Sequence, residues 1–284
     1  MGISARRISK TIQRLIAQRW RWKYSSMEYC PSCNGKSVLV FSSEIKTELT
    51  KIVSPWKLSD SFKQALLERE NYICLYCFAN FRIRAHADSA LRLLNMSKTS
   101  DLIKRLKFDD DFRFYETAAY NLFRMDDIKK INNYQVSEYF DNSPFGSRVN
   151  GVRNENLEGL TFPDNSFDVL INSDVLEHVG DLNKALSEIR RVLKPGGFHV
   201  FTIPVDFELP KTIERASVVD GKVEHLLEPV MHGDTVRGDG ILTFRDFGSD
   251  VLDYMSRDGF RCKEHKYFKN GCFITSVYYA QKQC

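Results

Sequence analysis

The sequence predicts an α/β fold, and three observations predict it. From about residue 110 onward, short apolar runs alternate with amphipathic segments of helix length. One run, in "SFDVLINSDVLEHVGD", joins Phe167, Val169, Leu170 and Ile171 and then turns polar at Asn172, Ser173 and Asp174. That is the pattern of a buried strand whose C-terminal end opens onto a ligand, as in open α/β sheets. Directly after it, "DLNKALSEIRRVL" (181–193) lines up Leu182, Ala185, Leu186, Ile189, Val192 and Leu193 on one helical stripe, with Asp181 as its cap.

The remaining elements follow in chain order. Residues 1–27 carry seven arginines and lysines and no acid, so the rest of the chain is about −3 against the net +4. Within them Ile8, Ile12, Leu15, Ile16 and Trp20 recur at helical spacing, which predicts a basic amphipathic helix. It either meets a membrane surface or another anionic partner, or packs one stripe on the body. Residues 28–87 form a cysteine-bearing module. Residues 88–107 read as helix, with Leu91, Leu94, Leu102, Ile103 and Leu106 apolar. Strands are expected at 112–117, 133–140, 167–173, 198–204 and 272–281. Lys194-Pro195-Gly196-Gly197 should stop the 181–193 helix. Residues 205–247 read as a long structureless loop, followed by a helix near 249–258.

Composition narrows the classes. At 43% hydrophobic, 12% aromatic and 27% charged, the chain is globular and not disordered. No run of about 18 apolar residues predicts a transmembrane helix, and the N-terminus lacks the apolar core of a signal peptide. A cytoplasmic location, peripheral to a membrane if the basic helix docks there, is the expectation. The body is not basic, so nucleic acid is not its expected partner.

Cys30 and Cys33 ("CPSC") and Cys74 and Cys77 ("CLYC") form two knuckles able to give four thiolates to a tetrahedral ion. Structural Zn²⁺ in a zinc ribbon with a long insertion is the leading reading; redox or free thiols are the alternative. Four thiolates leave no open position, so no catalysis is assigned to that metal. Arg82 and Arg84 follow the second knuckle, so the ribbon either touches nucleic acid or is a folding staple. Cys262, Cys272 and Cys284 have no partners by spacing.

Residues 160–204, "LTFPDNSFDVLINSDVLEHVGDLNKALSEIRRVLKPGGFHVFTIP", resemble the second half of a class I S-adenosylmethionine-dependent methyltransferase of the "LEH…RVLKPGG" branch. The cysteine pairs followed by "FRIR" are similar to a zinc-ribbon module found ahead of some such enzymes. The resemblance implies a seven-stranded, mostly parallel Rossmann-like sheet with helices on both faces, in a domain over 88–284. It implies S-adenosylmethionine across the C-terminal ends of the first strands. By position it assigns cofactor contacts to Glu116, Thr117, Ala118, Glu138, Tyr139, Asn156, Leu157, Ser173 and Asp174. Glu138 would accept both ribose hydroxyls, or else be a surface glutamate. The sequence departs from the family at the first strand's turn, where Thr117, Ala118 and Ala119 replace Gly-x-Gly. Such residues resist φ > 0, so a loop of different shape is expected.

The insertion 205–247 lies where such folds build the acceptor pocket. His232 and Asp234 are its acid/base candidates, and Arg237 and Arg245 its anion clamps; the bland reading is Asp and Gly making turns. His178 is the other candidate base, and Glu177 is similar; both are often scaffold in the family. Methyl transfer is an in-line displacement that needs alignment more than a protein nucleophile, so no triad is expected. The expected function is O- or N-methylation of a polar small molecule or glycan. The rival is a non-catalytic methyltransferase-like module engaging nucleic acid or an anionic assembly through its ribbon and basic tail.

Overall fold

A computed structural model describes residues 27–118, 121–125, 128–233, 240–256 and 259–283. The expected helix in 1–27 lies outside them but for its last residue, as do Ala119, Asp234, Arg237 and Cys284.

The chain begins with β1 (Met27–Cys30) and β2 (Gly35–Val40), then helices α1 (Ser43–Val53) and α2 (Asp60–Arg69), then β3 (Ile73–Cys74). These three strands form an antiparallel sheet, β1-β2-β3, with the two helices as its insertion. Two further helices follow, α3 (Phe81–Leu93) and α4 (Thr99–Phe108). The single helix expected over 88–107 is therefore two. Asn95 takes a left-handed φ of 55° between them, which Asn tolerates better than most residues. Helix α3 runs unbroken past residue 87, where a domain boundary was expected.

Next come β4 (Phe114–Thr117), β5 (Tyr134–Glu138), β6 (Arg148–Val149), β7 (Val152–Asn154), β8 (Phe167–Ser173), α5 (Leu182–Val192) and β9 (Leu193–Thr202). The insertion holds three short ladders instead of a structureless loop: β10 (Ile213–Glu214) with β15 (Arg245–Asp246), β11 (Ala216–Val219) with β12 (Lys222–His225), and β13 (Met231–His232) with β14 (Ile241–Leu242). A short α6 (Val251–Met255) leads to β16 (Phe260–Lys269) and β17 (Cys272–Lys282).

The main sheet has eight strands in the order β16-β17-β9-β8-β4-β5-β7-β6. Strands β7, β5, β4, β8 and β9 are parallel; β17 is antiparallel to β9, and β16 to β17. The two-residue β6 is the addition to the seven expected. This is a doubly wound sheet with its order reversing beside β4. Neighbouring residues feed opposite faces. Tyr115, Leu170 and Phe201 join α5 and α6 in one core, while Phe114, Val169 and Val200 join α3 and α4 in the other.

Asp181 caps α5 by accepting from the Lys184 amide at 3.1 Å, and Leu182, Ala185, Leu186, Ile189 and Val192 are its buried stripe. Lys194-Pro195-Gly196-Gly197 ends this helix but does not form a loop, because it is already the start of β9. Gly196 sits at φ 78°, and a side chain on Gly197 would lie 2.9 Å from the Lys194 carbonyl oxygen and 3.0 Å from that of Asp168. Strand β16 was not expected from sequence. Its alternation is mostly lysine, arginine and glutamate, as suits a sheet edge.

Candidate functional site

The parallel strands end in one polar row. Thr117 pairs with Ser137, Glu138 with Asn154, and Ser173 with Thr202. Ligands of doubly wound sheets bind outside this edge.

At the end of β4, Glu116 is buried and accepts from the Leu122 amide (2.8 Å) and the Tyr134 hydroxyl (2.5 Å). Burial raises its pKa, against the pull of those hydrogen bonds. Glu116 therefore folds the turn that follows it. Ala118 adopts a left-handed φ of 55° just after the strand, although alanine resists that region. The hydroxyl of Thr117 and the side-chain oxygen of Asn121 (φ 57°) are both buried without a partner. Two buried polar atoms without partners near the end of β4 are unusual enough to mark it as a candidate binding point.

The other family-derived residues lie around that row. One Glu138 carboxylate oxygen accepts from the Tyr139 amide at 3.0 Å, and the Tyr139 ring stacks on Phe145. Asn156 closes a tight turn by accepting from the Glu158 amide at 2.9 Å, and Leu157 joins the core. Ser173 accepts from Arg82 at 2.5 Å and meets the Thr202 hydroxyl at 3.0 Å.

Asp174 sits under a lock made by the cysteine module. An Arg69 guanidinium nitrogen donates to it at 2.5 Å, Thr202 donates to it at 2.9 Å, and Arg82 lies 3.4 Å away. Glu70 completes the set by accepting from Arg82 at 2.5 Å. Burial pushes the Asp174 carboxyl up, but Arg69 and Arg82 outweigh it and hold the pKa down at about 2. Its backbone is left-handed, at φ 51°. Arg82 and Arg84 are both buried with carboxylate partners, Arg84 reaching Glu28 at 3.3 Å. Both side chains are therefore turned into the protein, against Glu70 and Glu28.

Beside the lock is a less saturated corner. The Leu176–His178 stretch is a 3-10 turn, not the start of an α-helix. It carries Glu177 and His178 toward His232 of β13, and the ligating atoms of the three lie within 4.8 Å of one another. His178 Nδ1 donates to the Leu242 carbonyl at 2.8 Å. Burial raises Glu177 to about 8, with Asp174 adding repulsion. Burial lowers His232 to about 3, helped by His178, so its imidazole is neutral. Trp56, from the turn between α1 and α2, stacks on His232 at 4.5 Å. A narrow cleft of about 10 Å³, lined by Leu58, Phe62, Asp206, His232, Thr243 and Arg245, opens beside it.

Arg245 is not an anion clamp. It is buried and donates to the carbonyls of Leu176 (2.6 Å), Val179 (2.8 Å) and Gly180 (3.3 Å), so it holds the 3-10 turn in place. Arg69, Glu70, Trp56 and Asn121 escaped the sequence reading. Nothing local marks them, since Arg69 meets Asp174 across 105 positions.

The four cysteines converge as expected. Cys30 and Cys77 sulfurs are 3.8 Å apart, and those of Cys33 and Cys74 are 3.9 Å apart. A tetrahedral ion with bonds of about 2.3 Å would set its sulfurs about 3.8 Å apart, whereas a disulfide needs about 2.05 Å. The geometry fits a thiolate-bound metal. Cys262 is buried and Cys272 exposed.

Residues 119–201 match the family described as methyltransferase domain. The ubiquinone/menaquinone biosynthesis C-methyltransferase UbiE of Pectobacterium atrosepticum is 34% identical over 130 residues, covering 40% of this chain and 51% of that protein. The glycine/sarcosine/dimethylglycine N-methyltransferase of Actinopolyspora halophila is 36% identical over 69 residues, 24% of this chain and 12% of that one. Among solved structures, an S-adenosylmethionine-dependent methyltransferase from Mesorhizobium loti aligns with a TM-score of 0.38 and 14% identity, covering 66% of this chain and 99% of that one. The chain thus spans about half the length of the first of these curated relatives and less of the second. The matched segment spans β5 to β9 of the doubly wound sheet, and over those residues the chain is similar to a methyltransferase domain.

Proposed function

We propose that the protein transfers a methyl group from S-adenosylmethionine to an oxygen or nitrogen of a polar small molecule or glycan. The observation that carries this reading is the β4 turn, where Ala118 keeps a left-handed backbone and Thr117 and Asn121 hold unspent polar atoms. Thr117, Ala118 and Asn121 would cradle the cofactor's polar groups. Glu138 would accept its ribose hydroxyls, Asn156 and Leu157 would flank its adenine, and Ser173 would lie near its methionine portion. When bound, S-adenosylmethionine supplies an electrophilic methyl group. The chain's own task is to align an acceptor with it and to deal with the acceptor's proton. The imidazoles of His178 and His232, the latter held neutral by burial, are the candidates for that task.

The named relatives include a C- and an N-methyltransferase, so the choice of an O or N acceptor rests on the polar corner of this chain. The cysteine cluster is read as a structural Zn²⁺ site that fixes Arg69 and Arg82 over the strand ends. Among the described residues no helix is long and apolar enough to cross a membrane, and a cytoplasmic protein is the reading adopted.

Calorimetric titration of the zinc-replete protein with S-adenosylmethionine and S-adenosylhomocysteine tests the function. Micromolar binding, weakened at least tenfold by Glu138→Ala, is the expected result. No heat and no thermal shift with either ligand would leave the chain a non-catalytic module. The closed lock over Asp174 and Ser173 is the feature that would favour that second reading.

A further inference from the structure

The corner beside the lock has the donor set of a metal site. Glu177 is buried, its side chain 1% exposed, and its Oε2 has no hydrogen-bond partner. An unpaired buried carboxylate oxygen is costly unless a cation or donor meets it. The Leu242 carbonyl can only accept, so His178 Nδ1 carries a proton and Nε2 is the ring nitrogen turned toward Glu177. That Nε2 lies 3.7 Å from Glu177 Oε1. A backbone carbonyl behind one ring nitrogen is the usual way a protein aims the other at a metal.

His232 approaches from the other side. Its ring centre is 5.0 Å from that of His178, and Trp56 holds it flat from behind. The strand carrying His232 pairs with the strand whose Leu242 orients His178, so one ladder positions both rings. Two imidazoles and a carboxylate bonded at about 2.0–2.1 Å to a tetrahedral ion lie roughly 3.4 Å apart. The His178–Glu177 separation is close to that, and small side-chain rotations bring His232 in. Nearby positive charge does not oppose a cation here, because Arg69 and Arg82 are matched by Asp174 and Glu70. The cleft beside His232, about 10 Å³, leaves room for a ligand atom the size of one water.

We infer that Glu177, His178 and His232 form a three-ligand site for a divalent ion of the Zn²⁺ class, with an open coordination position facing the cleft. The site is separate from the four-cysteine cluster, which leaves no position open. Metal binding stands without the proposed methyl transfer; only its purpose rests on that reading. The open position takes an acceptor oxygen. Coordination lowers that hydroxyl's pKa, and its proton passes to solvent. The oxygen then bonds to the methyl carbon, while the electron pair of the breaking carbon–sulfur bond stays on sulfur. His178 and His232 are then ligands that replace free imidazole in handling the proton.

Cobalt titration of the metal-free full chain tests the site. Two equivalents should bind. One should show thiolate-to-cobalt charge transfer from the cysteines, and the other only the ligand-field absorption of nitrogen and oxygen ligands. Glu177→Gln, which preserves shape, and His232→Ala should each weaken the thiolate-free equivalent at least tenfold and spare the other. His225→Ala, at an exposed position, should change neither. A wild-type protein without any thiolate-free equivalent would overturn the inference, as would one whose thiolate-free binding survives both Glu177→Gln and His232→Ala. Calorimetry with S-adenosylmethionine on the same samples separates the two readings. Cofactor binding without the thiolate-free metal defeats the site alone, and metal binding without cofactor defeats the methyl-transfer reading alone.

Discussion

Two buried polar regions sit side by side at the strand ends, and they are built on opposite principles. In the lock, Arg69 and Arg82 face Asp174 and Glu70, and Thr202 and Ser173 take up further hydrogen bonds. In the corner, Glu177 keeps an oxygen without a partner, and the imidazoles of His178 and His232 stand beside it. Both are deeply buried, yet Asp174 is held down at about 2 while Glu177 is pushed up to about 8. The difference lies in the neighbours. A buried carboxylate with two guanidiniums stays charged and staples the structure, and one without a cation takes up a proton or awaits a metal.

The largest effect should come from removing the anchor of the lock. Cys74→Ser, or a strong zinc chelator, should cost on the order of 10 kcal/mol of metal-linked folding free energy in the cysteine module. Arg69 and Arg82 would be released with it. Denaturant unfolding followed with and without zinc measures this, and indifference to chelator would show that the thiols alone hold the module.

Asp174→Ala should come next, costing about 3–5 kcal/mol, because it leaves the buried Arg69 guanidinium without its close carboxylate, while Arg82 keeps Glu70. Equilibrium unfolding in urea reads it directly. Acid should mimic this change only below about pH 4. The folded pKa is depressed to about 2, so the stabilisation is full above the unfolded value and is lost as pH falls between the two.

Glu177→Gln should behave in the opposite way when the protein carries zinc only on its cysteines. The folded pKa is raised to about 8, so wild type and variant should match in stability below about pH 4. As pH rises toward 8 the wild type should lose stability relative to the variant by up to about 1.4 kcal/mol per pH unit. Thermal unfolding across that range checks the sign. A flat difference would mean that the corner is more hydrated than its burial implies.

The smallest change belongs to the turn beside both regions. Ala118→Gly should stabilise by about 0.5–1 kcal/mol, since glycine occupies φ 55° without strain. Calorimetry should find cofactor affinity maintained. A loss of stability would show that the alanine side chain packs usefully there.

Much of this molecule could be read in advance where the signal is local. The Phe167–Ser173 strand and the Asp181-capped helix after it appear with the expected bounds, because each repeats its burial at its own period. The paired cysteines were legible for a similar reason, as two short knuckles carry the same ligand chemistry. Strand β16 was missed because an edge strand rich in lysine and arginine lacks the apolar alternation that marks its neighbours. Arg245 was misread because its partners are the carbonyls of Leu176, Val179 and Gly180, which no spacing rule connects to it.

The sequence by itself determined the α/β class and the four thiolates, set by periodicity and short spacing along the chain, and the methyltransferase-like segment through its resemblance to a family. Only the tertiary structure decided that Arg69 would neutralise Asp174 and that His232 would come to rest against His178 and Glu177. Those contacts join residues far apart in the chain, and their protonation follows from burial and neighbouring charge, which exist only once the chain has folded.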